Sequence, residues 1–99
     1  MFGSGMMDKL NAMKGLAEES KKRLDTISVE GEAGGGLMRI ELTGNRNFKS
    51  ISINADHTQM SKEDLEDLFS VALERALENA NKINEQEVMS SARNMFPGL

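Results

Sequence analysis

The sequence predicts an α+β protomer of order α-β-β-β-α, with a three-stranded antiparallel sheet and two flanking helices. Three observations predict it. Apolar or small residues recur at alternating spacings of four and three from Met6 to Leu24, which is the helical period. Between Ile27 and Ile53 the period falls to two, as in strands with one apolar face. From Ser61 onward the helical period returns, and no Gly or Pro interrupts it before Pro97.

The first helix is expected over residues 6–25, with Met6, Leu10, Met13, Ala17, Ser20 and Leu24 on one stripe. Gly15 inside it costs roughly 1 kcal/mol relative to Ala, so the helix needs a partner surface. Residues 26–54 read as a meander. Ile27 and Val29 alternate with Ser28 and Glu30, Gly34 to Gly36 form a loop, and Met38, Ile40 and Leu42 alternate along the second strand. Thr43-Gly44-Asn45-Arg46-Asn47 is a turn, because Gly and Asn tolerate positive φ. The third strand then carries Ile51 and Ile53 on one face.

Ser61 opens the second helix, expected over 61–92. Its hydroxyl can cap the first turn, with Glu63 and Asp64 at the positive end of the dipole, and Ser61-x-x-Asp64 is close to a capping box. The apolar stripe is Leu65, Leu68, Phe69, Ala72, Leu73, Ala76, Ala80 and Ile83. A helix of about 30 residues is ~45 Å long, wider than a globule whose radius of gyration is ~13 Å. Its distal half must project or pack on another chain, and a homodimer is expected. The dimer interface is placed at Ile40, Leu42, Ile51 and Ile53 of the strands and Leu65, Leu68, Phe69 and Ala72 of the helix. Residues 1–5 and 94–99 are expected to be frayed tails.

Ninety-nine residues with 38% hydrophobic content suffice for one small domain with a core. No apolar run approaches the ~18–20 residues of a membrane helix, so no membrane partner is expected. Residues 1–5 show no basic stretch leading into an apolar one, so no secretory signal is expected. The chain has no Cys, which excludes disulfides and thiolate metal sites and suits a reducing cytosol. Four Phe are the only aromatics, too few for a base-stacking platform.

The net charge of −4 argues against a polyanionic partner unless charge is segregated, and it is. Lys9, Lys14, Lys21, Lys22 and Arg23 stand against Glu18 and Glu19, a net of +3 over residues 9–23, with Asp8 contributing −1 before them. On the second helix Arg75, Lys82 and Arg93 share one flank within about 20°, while Glu63, Asp67, Glu74, Glu78 and Glu85 line the back. The candidate phosphate-contacting residues are therefore Lys14, Lys21, Lys22, Arg23, Arg75, Lys82 and Arg93. The competing reading is structural: the first helix's bases cover an apolar seam and pair with an acidic neighbour, and Glu78 supports Lys82 as an i,i+4 pair.

Catalytic and metal chemistry finds no residues. His57 is the only His and sits in a surface turn. Gly31-Glu32-Ala33-Gly34-Gly35-Gly36 has GxxxxG spacing, but Leu37 and Met38 replace the Lys and Ser/Thr of a phosphate loop, and a strand follows instead of a helix. No enzyme, no metal and no cofactor are expected.

The quoted segments resemble the YbaB/EbfC family of bacterial nucleoid-associated proteins along nearly the whole chain. The resemblance rests on Met1-Phe2-Gly3, Gly31 to Leu37 followed by Met38-Arg39-Ile40, Ile51-Ser52-Ile53, Leu65-Glu66-Asp67-Leu68, Ala72 and Ala76, and Met95-Phe96-Pro97-Gly98-Leu99. It implies an αβββα protomer, a homodimer with helices protruding like tweezers, and binding of double-stranded DNA at the nucleoid. Asn54-Ala55, Glu74 and Asn94 depart from the family's usual residues. No family motif assigns the DNA contacts, so the site rests on charge geometry, from which weak sequence preference is expected. The alternative is an adaptor whose Met- and Leu-rich helices grip a protein partner.

Overall fold

The computed structural model describes residues 4–95, which run α1 (Ser4–Asp25), β1 (Ser28–Ala33), β2 (Met38–Thr43), β3 (Phe48–Ile53) and α2 (Lys62–Met95). The expected α+β order is present. Ser4, Gly5, Asn94 and Met95, expected in frayed tails, are helical; in α2 nothing in the sequence breaks the helix before Pro97. Residues 1–3 and 96–99 lie outside the described residues.

The sheet is an antiparallel meander of order β1-β2-β3. Its register sets Val29 opposite Leu42, Gly31 opposite Ile40 and Ala33 opposite Met38, and Met38 opposite Ile53, Ile40 opposite Ile51 and Leu42 opposite Phe48. All of these residues share one face. The first half of α2 lies on it, with Ala72, Ala76 and Ala80 fully buried against Val29, Ala33, Met38, Ile40 and Leu42. Helix and sheet meet so closely that a Cβ on Gly31 would stand 2.1 Å from the Ala72 carbonyl oxygen and the Ala76 nitrogen.

The cap of α2 is a reciprocal box. Asp64 N–H donates to Ser61 Oγ at 3.0 Å, and Ser61 N–H donates to Asp64 Oδ2 at 3.3 Å. With 34 residues, α2 spans about 51 Å and runs well past the sheet. There α1 lies antiparallel beside it, Ser20 meeting Ser91 while Arg23 meets Glu87. The molecule measures 69 × 22 × 19 Å with a radius of gyration of 19.2 Å, against about 13 Å for a compact chain of this length.

Candidate nucleic-acid interface

Two helical faces carry the expected cations, and the structure treats them differently. On α1, Lys14, Lys21 and Lys22 are exposed and make no ion pair among the described residues. Arg23 is committed elsewhere. Its Nε donates to Glu87 Oε1 at 2.9 Å, and its Nη2 reaches the same oxygen and Ser20 Oγ. Ser20 Oγ also donates to Glu87 Oε1 at 2.9 Å. The Arg23 and Ser20 hydrogen bonds hold the Glu87 carboxyl below its ordinary pKa. Of these bases, Arg23 pairs with an acidic neighbour and closes the α1–α2 seam, while Lys21 lines the apolar groove beside it.

On α2, Arg75 is also engaged, its Nη1 donating to the Glu32 carbonyl at 2.8 Å. One turn on, Asn79 Nδ2 donates to the Glu30 carbonyl at 2.6 Å. These two side chains occupy the outer carbonyls of β1 and close that edge of the sheet to a further strand. Lys82 and Arg93 are exposed, and the expected Glu78–Lys82 pair is not formed; the described i,i+4 ion pair is Lys62–Glu66 at 3.6 Å. Glu87 and Ser91, which face α1, lie roughly 120–180° around α2 from the flank of Arg75, Lys82 and Arg93. The two expected basic ridges thus look out from different sides of the protomer.

One exposed cation outside the expected set sits close to these helices. Arg46, at the β2–β3 hairpin tip, is exposed, and its Nε donates to Asn81 Oδ1 at 2.6 Å. Lys21 and Arg46 border two hollows that share the Asn84–Val88 wall of α2. The signal was available in the sequence as a basic residue inside a Gly-Asn turn, but only the fold brings that turn to α1: Asn45 Nδ2 donates to the Lys21 carbonyl at 2.8 Å and to Asp25 Oδ1 at 2.6 Å.

The residues expected at a dimer interface divide as well. Ile40, Leu42 and Ala72 are 1%, 2% and 0% exposed. They are consumed by the protomer's own core, which corrects their assignment to a surface between copies. Leu65 and Leu68 are half-buried. Ile51, Ile53 and Phe69 are 41%, 51% and 43% exposed, as is Phe48 at 63%. The β3 residues lie on the core face of the sheet, yet α2 covers β1 and β2 and leaves them open. Ile51 and Ile53, with Met38, Leu65 and Phe69, line a hollow of about 740 Å³.

The glycine-rich segment is a hairpin loop. Gly34, Gly35 and Gly36 have φ of 65°, 67° and 95°, in the left-handed region that turns β1 into β2. His57 is exposed beside Asp56, whose Oδ1 accepts from the Thr58 hydroxyl at 2.5 Å and N–H at 3.0 Å. Those bonds hold the Asp56 carboxyl below its ordinary pKa. Among the described residues no group of three or more His, Cys, Asp or Glu could hold a metal ion, and no helix is long and apolar enough to cross a membrane.

A profile of the YbaB/EbfC DNA-binding family matches residues 2–95. The chain is 41% identical over 95 residues to a nucleoid-associated protein of Flavobacterium johnsoniae, covering 96% of this chain and 89% of that one. It is 35% identical over 85 residues to a nucleoid-associated protein of Beijerinckia indica, covering 85% and 84%. A third nucleoid-associated protein, from Hahella chejuensis, is 34% identical, covering 100% of this chain and 91% of its own. Among solved structures, the crystal structure of an uncharacterized Helicobacter pylori protein superposes with a TM-score of 0.79 at 17% identity, covering 91% of this chain and 96% of that one. That likeness is one of fold.

Proposed function

This chain belongs to the YbaB/EbfC DNA-binding family, and from that membership we propose that it binds double-stranded DNA as a homodimer with weak sequence preference, at the nucleoid in the cytoplasm. The family is one of nucleoid-associated DNA-binding proteins, not of enzymes. The observation that carries the reading is that five of the expected cations have no carboxylate partner among the described residues of an acidic protein: Lys14, Lys21 and Lys22 along α1, and Lys82 and Arg93 along α2. Such exposed bases neutralise phosphates and release counterions. Few of them are placed to read base edges, hence the weak preference. Glu74 and Glu78 repel the duplex from the back of α2.

The homodimer is supported by the uncovered strip of Phe48, Ile51, Ile53 and Phe69. Its occupant is a second copy, because Arg75 and Asn79 close the β1 edge and direct pairing to the β3 side. A 99-residue chain also buries only about two-thirds of its unfolded surface alone.

A gel shift titrated with salt tests the reading, with mass measured in solution. If a dimer neutralises ~6 phosphates, log affinity falls against log salt with a slope near −5. Lys21→Glu with Lys22→Glu abolishes the shift while the dimer and the Arg23–Glu87 seam persist. No shift at ~50 mM salt overturns DNA binding, and a monomeric mass overturns the dimer.

A second reading, a grip on a protein partner, is favoured by one observation. The groove between α1 and α2, about 540 Å³, is lined by Met13, Leu16, Ala17, Leu24 and Val88 among others. A partner lost on Met13→Ser, with DNA affinity unchanged in the charge reversal, supports that reading instead.

A further inference from the structure

The β2–β3 turn places its residues in a costly arrangement. Arg46 N–H donates to the Thr43 carbonyl at 2.9 Å, and Thr43 N–H donates to the Asn47 carbonyl at 2.8 Å. This is a three-residue hairpin loop whose last residue adopts the left-handed conformation, a position that glycine ordinarily fills. Here it is Arg46, at φ 69°, the single non-glycine residue with positive φ among those described. The turn's glycine is used one step away for a different purpose. Gly44 N–H donates to the Leu24 and Ile27 carbonyls at 3.0 Å each, and a Cβ there would approach the Leu24 carbonyl oxygen to 2.9 Å. The chain thus keeps a long cationic side chain where backbone sterics favour none. Strain of this kind is retained where a side chain serves a site.

The side chain is also aimed. Asn81 holds Nε at 2.6 Å, leaving the two terminal guanidinium nitrogens outward with no partner among the described residues. Two parallel N–H donors match a phosphate bidentately. Glu85 lines the same hollow but forms no ion pair with Arg46. Lys21 stands across the Asn84–Val88 wall.

We propose that Arg46 is a phosphate clamp at the root of the helical arm, continuing the Lys14–Lys21 strip of α1 across the hairpin tip, with Asn81 as its positioning residue. The proposal rests on the DNA-binding reading above. Arg46→Gly tests it without endangering the fold, because glycine suits the backbone there. Binding of a random-sequence 30-bp duplex is measured against salt for the wild type, Arg46→Gly and Asn81→Ala. Arg46→Gly weakens affinity roughly eightfold at ~0.1 M salt and makes the log–log slope shallower by about 0.9 for each phosphate it no longer neutralises, while Tm stays level or rises. Asn81→Ala, which keeps the cation, weakens binding with the slope unchanged. If the wild type binds and Arg46→Gly retains its slope, the clamp is overturned and DNA binding stands. If Asn81→Ala changes neither affinity nor slope, Asn81 does not position Arg46 and that half of the proposal is overturned. If the wild type does not bind duplex, the DNA reading and the clamp fall together.

Discussion

Where α2 crosses the sheet, Ala72, Ala76 and Ala80 lie against Val29, Ala33, Met38, Ile40 and Leu42, and among the described residues no polar side chain is buried. Farther along the same helix the neighbour is α1, and the two meet through a row of Ser20, Ser91, Arg23 and Glu87, with Leu24 the buried apolar residue. One helix is thus held by close apolar packing at one end and by a partly solvated polar seam at the other. The close end sets stability. The seam end leaves long helical faces in water, where their cations can meet a large partner.

The sharpest way to break this contrast is to substitute glycine by alanine at each end. In the sheet, Gly31→Ala drives a Cβ into the α2 backbone at 2.1 Å. No flexible side chain can yield there, so helix and sheet must separate. The expected loss is roughly 3 kcal/mol, seen as a lower denaturant midpoint. An unchanged midpoint would show that α2 rides loosely on β1. In α1, the same change at Gly15 meets nothing within 4 Å. Gly15→Ala is expected to stabilise by about 0.5–1 kcal/mol through helix propensity alone, with increased helicity by circular dichroism. A loss there would mean that α1 packs more tightly than its exposed surface indicates.

The sheet end was legible in the sequence because period, turn and cap signals act locally. The alternation of Met38, Ile40 and Leu42, the run of Gly34 to Gly36 and the Ser61–Asp64 box each fix structure within a few residues. The candidate site was legible only as composition along helices. Arg23, Arg75 and Arg46 show why. Charge and helical angle place Arg23 and Arg75 on exposed flanks, but their partners, Glu87 and the Glu32 carbonyl, are 64 and 43 residues away. Arg46 reads as a turn residue because its nearness to α1 and α2 is created by the hairpin folding back. Ile40, Leu42 and Ala72 were misplaced for a related reason. Periodicity identifies an apolar face, and only packing decides whether the same chain or a second copy covers it.

The smallest expected effect is local to the seam. Hydrogen bonds from Arg23 and then Ser20 lower the pKa of Glu87, so the charged form is favoured by folding. A carboxyl lowered in this way adds stability at pH values above its unfolded pKa, about 4.3, and loses it as pH falls through the lowered folded value. Glu41, lowered by Lys49, and Asp56, lowered by Thr58, titrate in the same direction, but in the sheet and in the turn before α2. Amide exchange in α1 therefore isolates Glu87. Protection of residues 16–25 should stay flat from neutral pH to about 4.3 and fall below it, and Glu87→Gln should show the lowered protection already at neutral pH. The same substitution releases Arg23 toward solvent beside Lys21 and Lys22. DNA affinity should then rise, with a salt slope steeper by about 0.9 for one further neutralised phosphate, even as the arm loosens. A variant that loosens α1 and weakens DNA binding would instead mean that the rigid arm, and not the number of available cations, limits the interaction.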